Sequence, residues 1–165
     1  MFQTSVLHIH KQALINNLEF IKGLVGKKTR ISSVIKGNAY GHGIEVFVPL
    51  AEYCGINHFS VFNADEALRA YKASEQNSGI MIMGMIDTHE LDWAIRNDIE
   101  FFVFEPERLE QSLEISKKIK KPALIHVEVE TGMNRTGFNK EQIKLVKEII
   151  KSNKDHLVFK GLCTH

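Results

Sequence analysis

Arg30-Ile31-Ser32-Ser33-Val34-Ile35-Lys36-Gly37 runs directly into Asn38-Ala39-Tyr40-Gly41-His42-Gly43, and a helical pattern follows over 44–54. An apolar, β-branched run, a glycine-rich turn and a helix in immediate succession open a βα unit. The strand is predicted over 30–37. The same rhythm extends outward in both directions. Towards the N-terminus, a strand is predicted near 5–10. Between them Leu14, Leu18, Ile21 and Val25 recur at helical spacing and predict a core-facing stripe.

Towards the C-terminus, a strand is expected over 58–62, and Asn63 with Glu66 forms a capping-box pattern for a helix through Tyr71. Residues 79–84 read as strand, Asp87 with Glu90 caps a helix carrying Leu91, Ala94 and Ile95, and 99–104 is strand again. Pro106 suits the first turn of a helix that runs through Ile119 and stops before Pro122. A strand over 123–130, a helix opened by Asn139 and Gln142 that carries Ile143, Val146 and Ile150, and a strand over 157–165 complete the pattern.

Alternation of this kind predicts an α/β fold, a TIM-type (β/α)8 barrel of which this chain holds the first six or so βα steps. Residues 1–165 read as one partial barrel domain, with no Pro/Gly/Ser-rich linker and no second domain. Six strands do not close an eight-stranded cylinder, and an apolar strand over 157–165 leaves an uncovered edge. A fragment of a longer polypeptide is therefore expected.

Lys and Arg number 21 against 20 Asp and Glu, a net charge of +1, so no field recruits nucleic acid or an anionic membrane. The start, Met1-Phe2-Gln3-Thr4-Ser5-Val6, lacks a cationic segment before an apolar one, and no apolar run approaches ~18 residues. A cytoplasmic protein is expected. Cys54 and Cys163 lie far apart and read as small buried hydrophobes. His8, His10, His58, His89 and His156 read as caps or solvated side chains, and Met81, Met83 and Met85 as packing on a half-buried face.

Lys36 is predicted at the C-terminal mouth of a parallel strand, where a partly desolvated amine suits imine chemistry. Spacing alone favours an ordinary surface lysine. Gly37, Gly41 and Gly43 permit a phosphate cradle to which the Tyr40 hydroxyl donates, or equally a plain tight turn. His42 is expected to order that turn. On strand period His126, Glu128 and Glu130 share one face and Val127 and Val129 the other, so inward carboxylates need partners. Cys163 with His165 makes two of the four ligands usual for zinc, so no metal is expected.

Lys36-Gly37-Asn38-Ala39-Tyr40-Gly41-His42-Gly43 resembles the pyridoxal-phosphate lysine motif of the alanine racemases, a fold-type III family, with Gly37 where alanine is commoner. His126 to Phe138 resembles that family's strand and Asp-Thr-Gly-Met-Gly-Arg loop, with Glu130 for the Asp and Asn134 for the second Gly. Gly161-Leu162-Cys163-Thr164-His165 resembles its strand ending in Thr-His. The resemblance covers essentially the whole chain.

It implies pyridoxal 5'-phosphate bound by Lys36, Tyr40, Arg135 and His165, with Lys36 as Schiff-base lysine and catalytic acid/base, and Arg135 on the substrate carboxylate. Glu128 stands where many members carry a carbamylated lysine, and is expected to orient Arg135 as a permanent anion. Also implied is interconversion of L- and D-alanine, supplying D-alanine for peptidoglycan, by a homodimer. The second base, a tyrosine, comes from the partner subunit's C-terminal β domain, absent from this chain. So are the arginine near the pyridine nitrogen and the later phosphate-binding loop, and the isolated 165 residues are expected to be inactive. Alternatives are a broad-specificity racemase, a fold-type III decarboxylase, a non-catalytic pyridoxal-phosphate-binding barrel and a ligand-free structural module.

Overall fold

The computed structural model describes residues 5–165. They form two compact units, one ending at Ile80 and one beginning at Met81. Six strands alternate with helices along the chain. Among the described residues no helix is long and apolar enough to cross a membrane.

The first unit contains α1 (Lys11–Val25), β1 (Ser33–Val34), the single turn α2 (Lys36–Tyr40), α3 (Ile44–Tyr53), β2 (His58–Val61) and α4 (Ala64–Ala73). β1 pairs with β2 in parallel, Ser33 opposite Phe59 and Val34 opposite Ser60. Ile35, Ile44, Val48, Ala51, Phe59, Val61, Ala67 and Ala70 are fully buried and form its core.

The strand expected over 5–10 is absent from the described residues: Val6 and Leu7 lie exposed, and His10 caps α1 through Nδ1 instead. A strand exists only where a neighbouring ladder takes up its backbone groups, and residues 5–10 have none. Of the predicted stripe on α1, only Leu18 is buried, while Ile21 and Val25 stay largely exposed. His58 also departs from the expected solvated edge position. It is 4% exposed, with Nδ1 2.7 Å from Ser32 Oγ, which in turn lies 2.6 Å from Ser60 Oγ.

Glu52 of α3 is 2% exposed and accepts from Ser74 Oγ (2.5 Å), Ser78 Oγ (2.6 Å) and the Glu75 N–H (2.8 Å). Burial pushes its carboxyl up, but these donors outweigh burial and leave it below the ordinary value.

The second unit begins within β3 (Gly79–Ile82) and continues through α5 (Thr88–Arg96), β4 (Glu100–Val103), α6 (Pro106–Ile119), β5 (Ala123–Glu128), α7 (Lys140–Ser152) and β6 (Leu157–Cys163). β3, β4, β5 and β6 pair successively in parallel. Capping boxes form at Asp87/Glu90 and Asn139/Gln142, and Pro106 occupies the first turn of α6, as the spacing predicts. Lys120, left-handed at φ 56°, ends α6 just before Pro122.

Alternation along β5 sorts its side chains. Ala123, Ile125 and Val127 are buried, and Val127 meets Ile143, Val146 and Ile150 of α7 along an apolar groove. On the other face His126 Nε2 lies 2.5 Å from Glu100 Oε2, and Lys160 Nζ lies 3.2 Å from Glu100 Oε1. Glu100, 6% exposed, thus has the partners a buried carboxylate needs.

Glu52→Ala strands three donors in the interior and should lower the unfolding free energy in a urea titration by roughly 2–3 kcal/mol. Because the folded carboxyl titrates below its unfolded value, this stabilisation is present above the unfolded pKa and is lost as pH falls through the folded one. Wild type should therefore lose more stability in acid than Glu52→Ala does.

Candidate active site

Lys36 is the second residue beyond β1 and the first of α2, rather than part of a strand running to Gly37. Ile35 is fully buried and its N–H still donates to the Ser60 carbonyl (2.8 Å), after which the ladder stops and Lys36 emerges half-buried. The path then turns left-handed: Gly37 (φ 61°), Asn38 (56°), Ala39 (54°) and Tyr40 (52°) follow one another in that region. Left-handed geometry costs an L residue about 1–2 kcal/mol, so only Gly37 adopts it freely and the other three are held by neighbours.

Those neighbours are specific. Ala39 donates to the Ile35 carbonyl (2.8 Å) and Gly43 to that of Asn38 (2.9 Å). Asn38 Oδ1 accepts from the Ile44 N–H (3.2 Å) and from Arg69 Nη2 (2.5 Å). Glu66, 9% exposed, accepts from Gly37 N–H (2.6 Å) and Asn38 N–H (3.3 Å) on Oε1, and from Phe62 N–H (3.0 Å) on Oε2. Arg69 also pairs with Glu45 (2.7 Å), holding that carboxyl at about 2. His42 stacks on Phe47, centroids 6.4 Å apart, and so orders the turn.

The turn therefore presents a half-buried primary amine and an exposed phenol, Tyr40, within five residues. A Cβ added at Gly37 or Gly41 would meet nothing within 4 Å, so the backbone there is open to approach. An amine that condenses with an aldehyde, plus a hydroxyl and accessible backbone for an anion, is a donor set that fits pyridoxal phosphate.

In the second unit β5 leads into the loop that carries Arg135. Phe138, 1% exposed, closes the loop: its N–H donates to the Glu128 carbonyl (2.9 Å), and the Glu130 N–H donates to its carbonyl (3.1 Å). Within the loop the N–H groups of Asn134 and Gly132 hold the Glu130 carboxyl below its ordinary range. Asn134 sits at φ 55°, where asparagine is among the best tolerated non-glycine residues, which accounts for its standing in a glycine's place. Thr131 and Thr164 share a hydroxyl hydrogen bond that joins the loop to the end of β6, beside the exposed His165.

Glu128 is 5% exposed and accepts from Thr136 Oγ1 (3.0 Å). Among the described residues no ion pair joins it to Arg135, whose side chain is exposed. Cys163 lies opposite Glu128 in the β5–β6 ladder, and both cysteines are free and half-buried, short of the full burial expected. Burial, with the Glu128 charge adding to it, pushes the Cys163 thiol up to about 12.

Each unit thus assembles its own share of the expected residues. Lys36 and Tyr40 share one turn of the first; Glu128, Arg135 and His165 are linked through one loop and strand end of the second. Glu66 and Arg69 were not foreseen as site residues. The only sequence signal was the Asn63/Glu66 spacing, which reads as a capping box. Its first half forms, with Glu66 N–H donating to Asn63 Oδ1 (2.9 Å), but the Glu66 side chain reaches the lysine turn instead of returning to Asn63.

Parallel βα steps with an amine at the mouth of the first strand, and an arginine loop after the fifth, define the barrel portion of an alanine-racemase-like isomerase. The alanine racemase N-terminal domain family matches residues 9–165. An alanine racemase of Francisella tularensis subsp. novicida (strain U112) is 31% identical over 162 residues, covering 98% of this chain and 43% of that protein. The crystal structure of alanine racemase from E. faecalis superposes with a TM-score of 0.85 at 30% identity, over 96% of this chain and 43% of that one. A histidine racemase from Leuconostoc mesenteroides subsp. sake NBRC 102480 gives 0.84 at 25% identity, over 94% and 41%. The chain belongs to the alanine racemase N-terminal domain family, and spans about two fifths of the length of the relatives it matches.

Gly137, at φ 110°, leaves no room for a Cβ, which would stand 2.6 Å from the Glu130 nitrogen and 2.8 Å from the Val129 carbonyl carbon. Gly137→Ala should therefore destabilise the protein by at least about 2 kcal/mol in thermal or urea unfolding. Glu128→Gln removes one of the two causes that raise the Cys163 thiol. Its iodoacetamide alkylation at pH 8 should accelerate relative to Cys54; an unchanged ratio would mean that Glu128 carries no charge beside it.

Proposed function

We propose that the full polypeptide carrying this chain is a pyridoxal-5'-phosphate-dependent alanine racemase that interconverts L- and D-alanine and supplies D-alanine for peptidoglycan. The reading places it in the cytoplasm as a homodimer, with residues 1–165 as one partial barrel domain. The observation that carries the proposal is the left-handed turn just beyond β1 that carries the half-buried Lys36 and the exposed Tyr40 within five residues.

When bound, pyridoxal phosphate supplies an electron sink for the pair left behind as the α-hydrogen departs as a proton. Lys36 would hold the cofactor covalently through Nζ, and the same amine, when free, would take or return the α-proton on one face. Tyr40 donates its hydroxyl to the cofactor phosphate. Arg135, permanently charged and planar, would bind the substrate carboxylate and help to hold the cofactor. Glu128 supplies the negative charge that orients Arg135, and His165 supports the ring. The opposite face needs a second acid/base, assigned to a tyrosine of the partner subunit. The 165 residues alone are accordingly inactive.

A broad-specificity racemase is the second reading. The histidine racemase among the similar structures supports it, as do the departures at Glu128, Glu130 and Asn134.

Chiral product analysis of the full-length protein with L-alanine, serine, lysine, arginine and histidine, with and without added cofactor, ranks the substrates. D-alanine is expected as the main product. Lys36→Ala should abolish both racemisation and the borohydride-sensitive near-visible band. Glu128→Gln should lower turnover, and wild-type turnover there would remove its assigned role. A cofactor band without racemisation of any amino acid would point to a carrier; decarboxylated product would point to the other branch of the chemistry.

A further inference from the structure

We infer that the Glu66 carboxylate positions Lys36 and Tyr40 for the cofactor by clamping the left-handed turn between them. This rests on the reading of Lys36 as the cofactor lysine.

A run of five left-handed residues, 37–41, three of them not glycine, relaxes unless its surroundings over-determine it. At the start of the turn, the N–H groups of Gly37 and Asn38 converge on one oxygen of Glu66. Its other oxygen takes the N–H of Phe62, the residue just beyond β2. One side chain thus satisfies donors released where two adjacent strands end. A carboxylate does this because it is acceptor-only on both oxygens; a carboxamide turns an NH2 towards one of the three donors.

The same helix start elsewhere in the chain supplies the comparison. At Asp87/Glu90 and Asn139/Gln142 the third helical residue returns its side chain to the cap, completing the box. At Asn63/Glu66 the cap accepts its bond but the carboxylate is diverted to the lysine turn. Three residues on, Arg69 grips the same turn through Asn38 Oδ1, with its Nε anchored on Glu45. The first two turns of α4 therefore hold the backbone and the side chain of the lysine turn at separate points. Fixing the turn at residues 37 and 38, between the amine and the phenol, limits the positions each must search before engaging the cofactor.

The test uses the full-length holoenzyme and its cofactor-free form, as wild type, Glu66→Gln, and Glu66→Gln with Ala39→Gly. In the cofactor-free protein, Glu66→Gln should speed hydrogen exchange at the amides of the clamp, residues 37, 38 and 62, most at the one that faces the new NH2. Losing one of three bonds to a buried charged acceptor should weaken pyridoxal phosphate binding roughly ten- to hundredfold. It should also lower kcat more than it raises KM for the amino acid. Ala39→Gly should restore part of both the exchange protection and the affinity, because glycine takes φ 54° without penalty. A merely structural Glu66 would lower stability without that rescue.

Wild-type exchange and affinity in Glu66→Gln overturn the proposal, as does the absence of rescue. Should Glu66→Gln not fold, Glu66→Asp takes its place, with oxygens one methylene short; equality with wild type in both readouts overturns the proposal. If the wild type forms no borohydride-trapped adduct at Lys36, the cofactor reading itself falls and this inference with it. A normal wild-type adduct with an indifferent Glu66 variant removes the Glu66 role alone.

Discussion

Where a parallel strand ends, its last N–H groups leave the ladder before any helix can take them up, and each must find an acceptor or lose a hydrogen bond's worth of stability. In this chain side-chain carboxylates meet that demand. Glu66 takes the donors released after β1 and β2, and Glu130 takes those of the loop after β5. Lys36 and Arg135, the residues proposed to carry the chemistry, lie in these same segments. Lys36 and Arg135 are placed where they are because the backbone around them is held by anions rather than by regular secondary structure.

That arrangement also sets the electrostatics. Glu128 is nearly buried beside Cys163, and the thiol's resistance to ionisation reflects both burial and that neighbouring charge. From this position the Glu128 carboxylate accepts from the Thr136 hydroxyl. The Glu100, His126 and Lys160 group on the same face of the sheet shows the pattern again, a buried carboxylate matched by basic partners from the next two strands.

The βα rhythm was legible because period and capping are local properties. Val127 and Val146 on facing apolar surfaces, the boxes at Asp87 and Asn139, and Pro106 at a first turn all follow from spacing within a dozen residues. Lys36 stood out as a candidate only through its motif. The sequence left Glu66 looking like half of a cap, because its partners at 37 and 38 lie 29 and 28 residues away. His58 likewise reads as an edge residue until Ser32 arrives beside it.

The sequence by itself determined the order of strands and helices, the lysine turn and the arginine loop, since hydrophobic period, proline and glycine act on the chain within a few residues. Only the tertiary structure decided which carboxylate accepts which backbone donor. It also decided that 5–10 forms no strand and that the five residues 37–41 run left-handed. These outcomes depend on which groups approach through space, and an acceptor brought from another helix outweighs local preference.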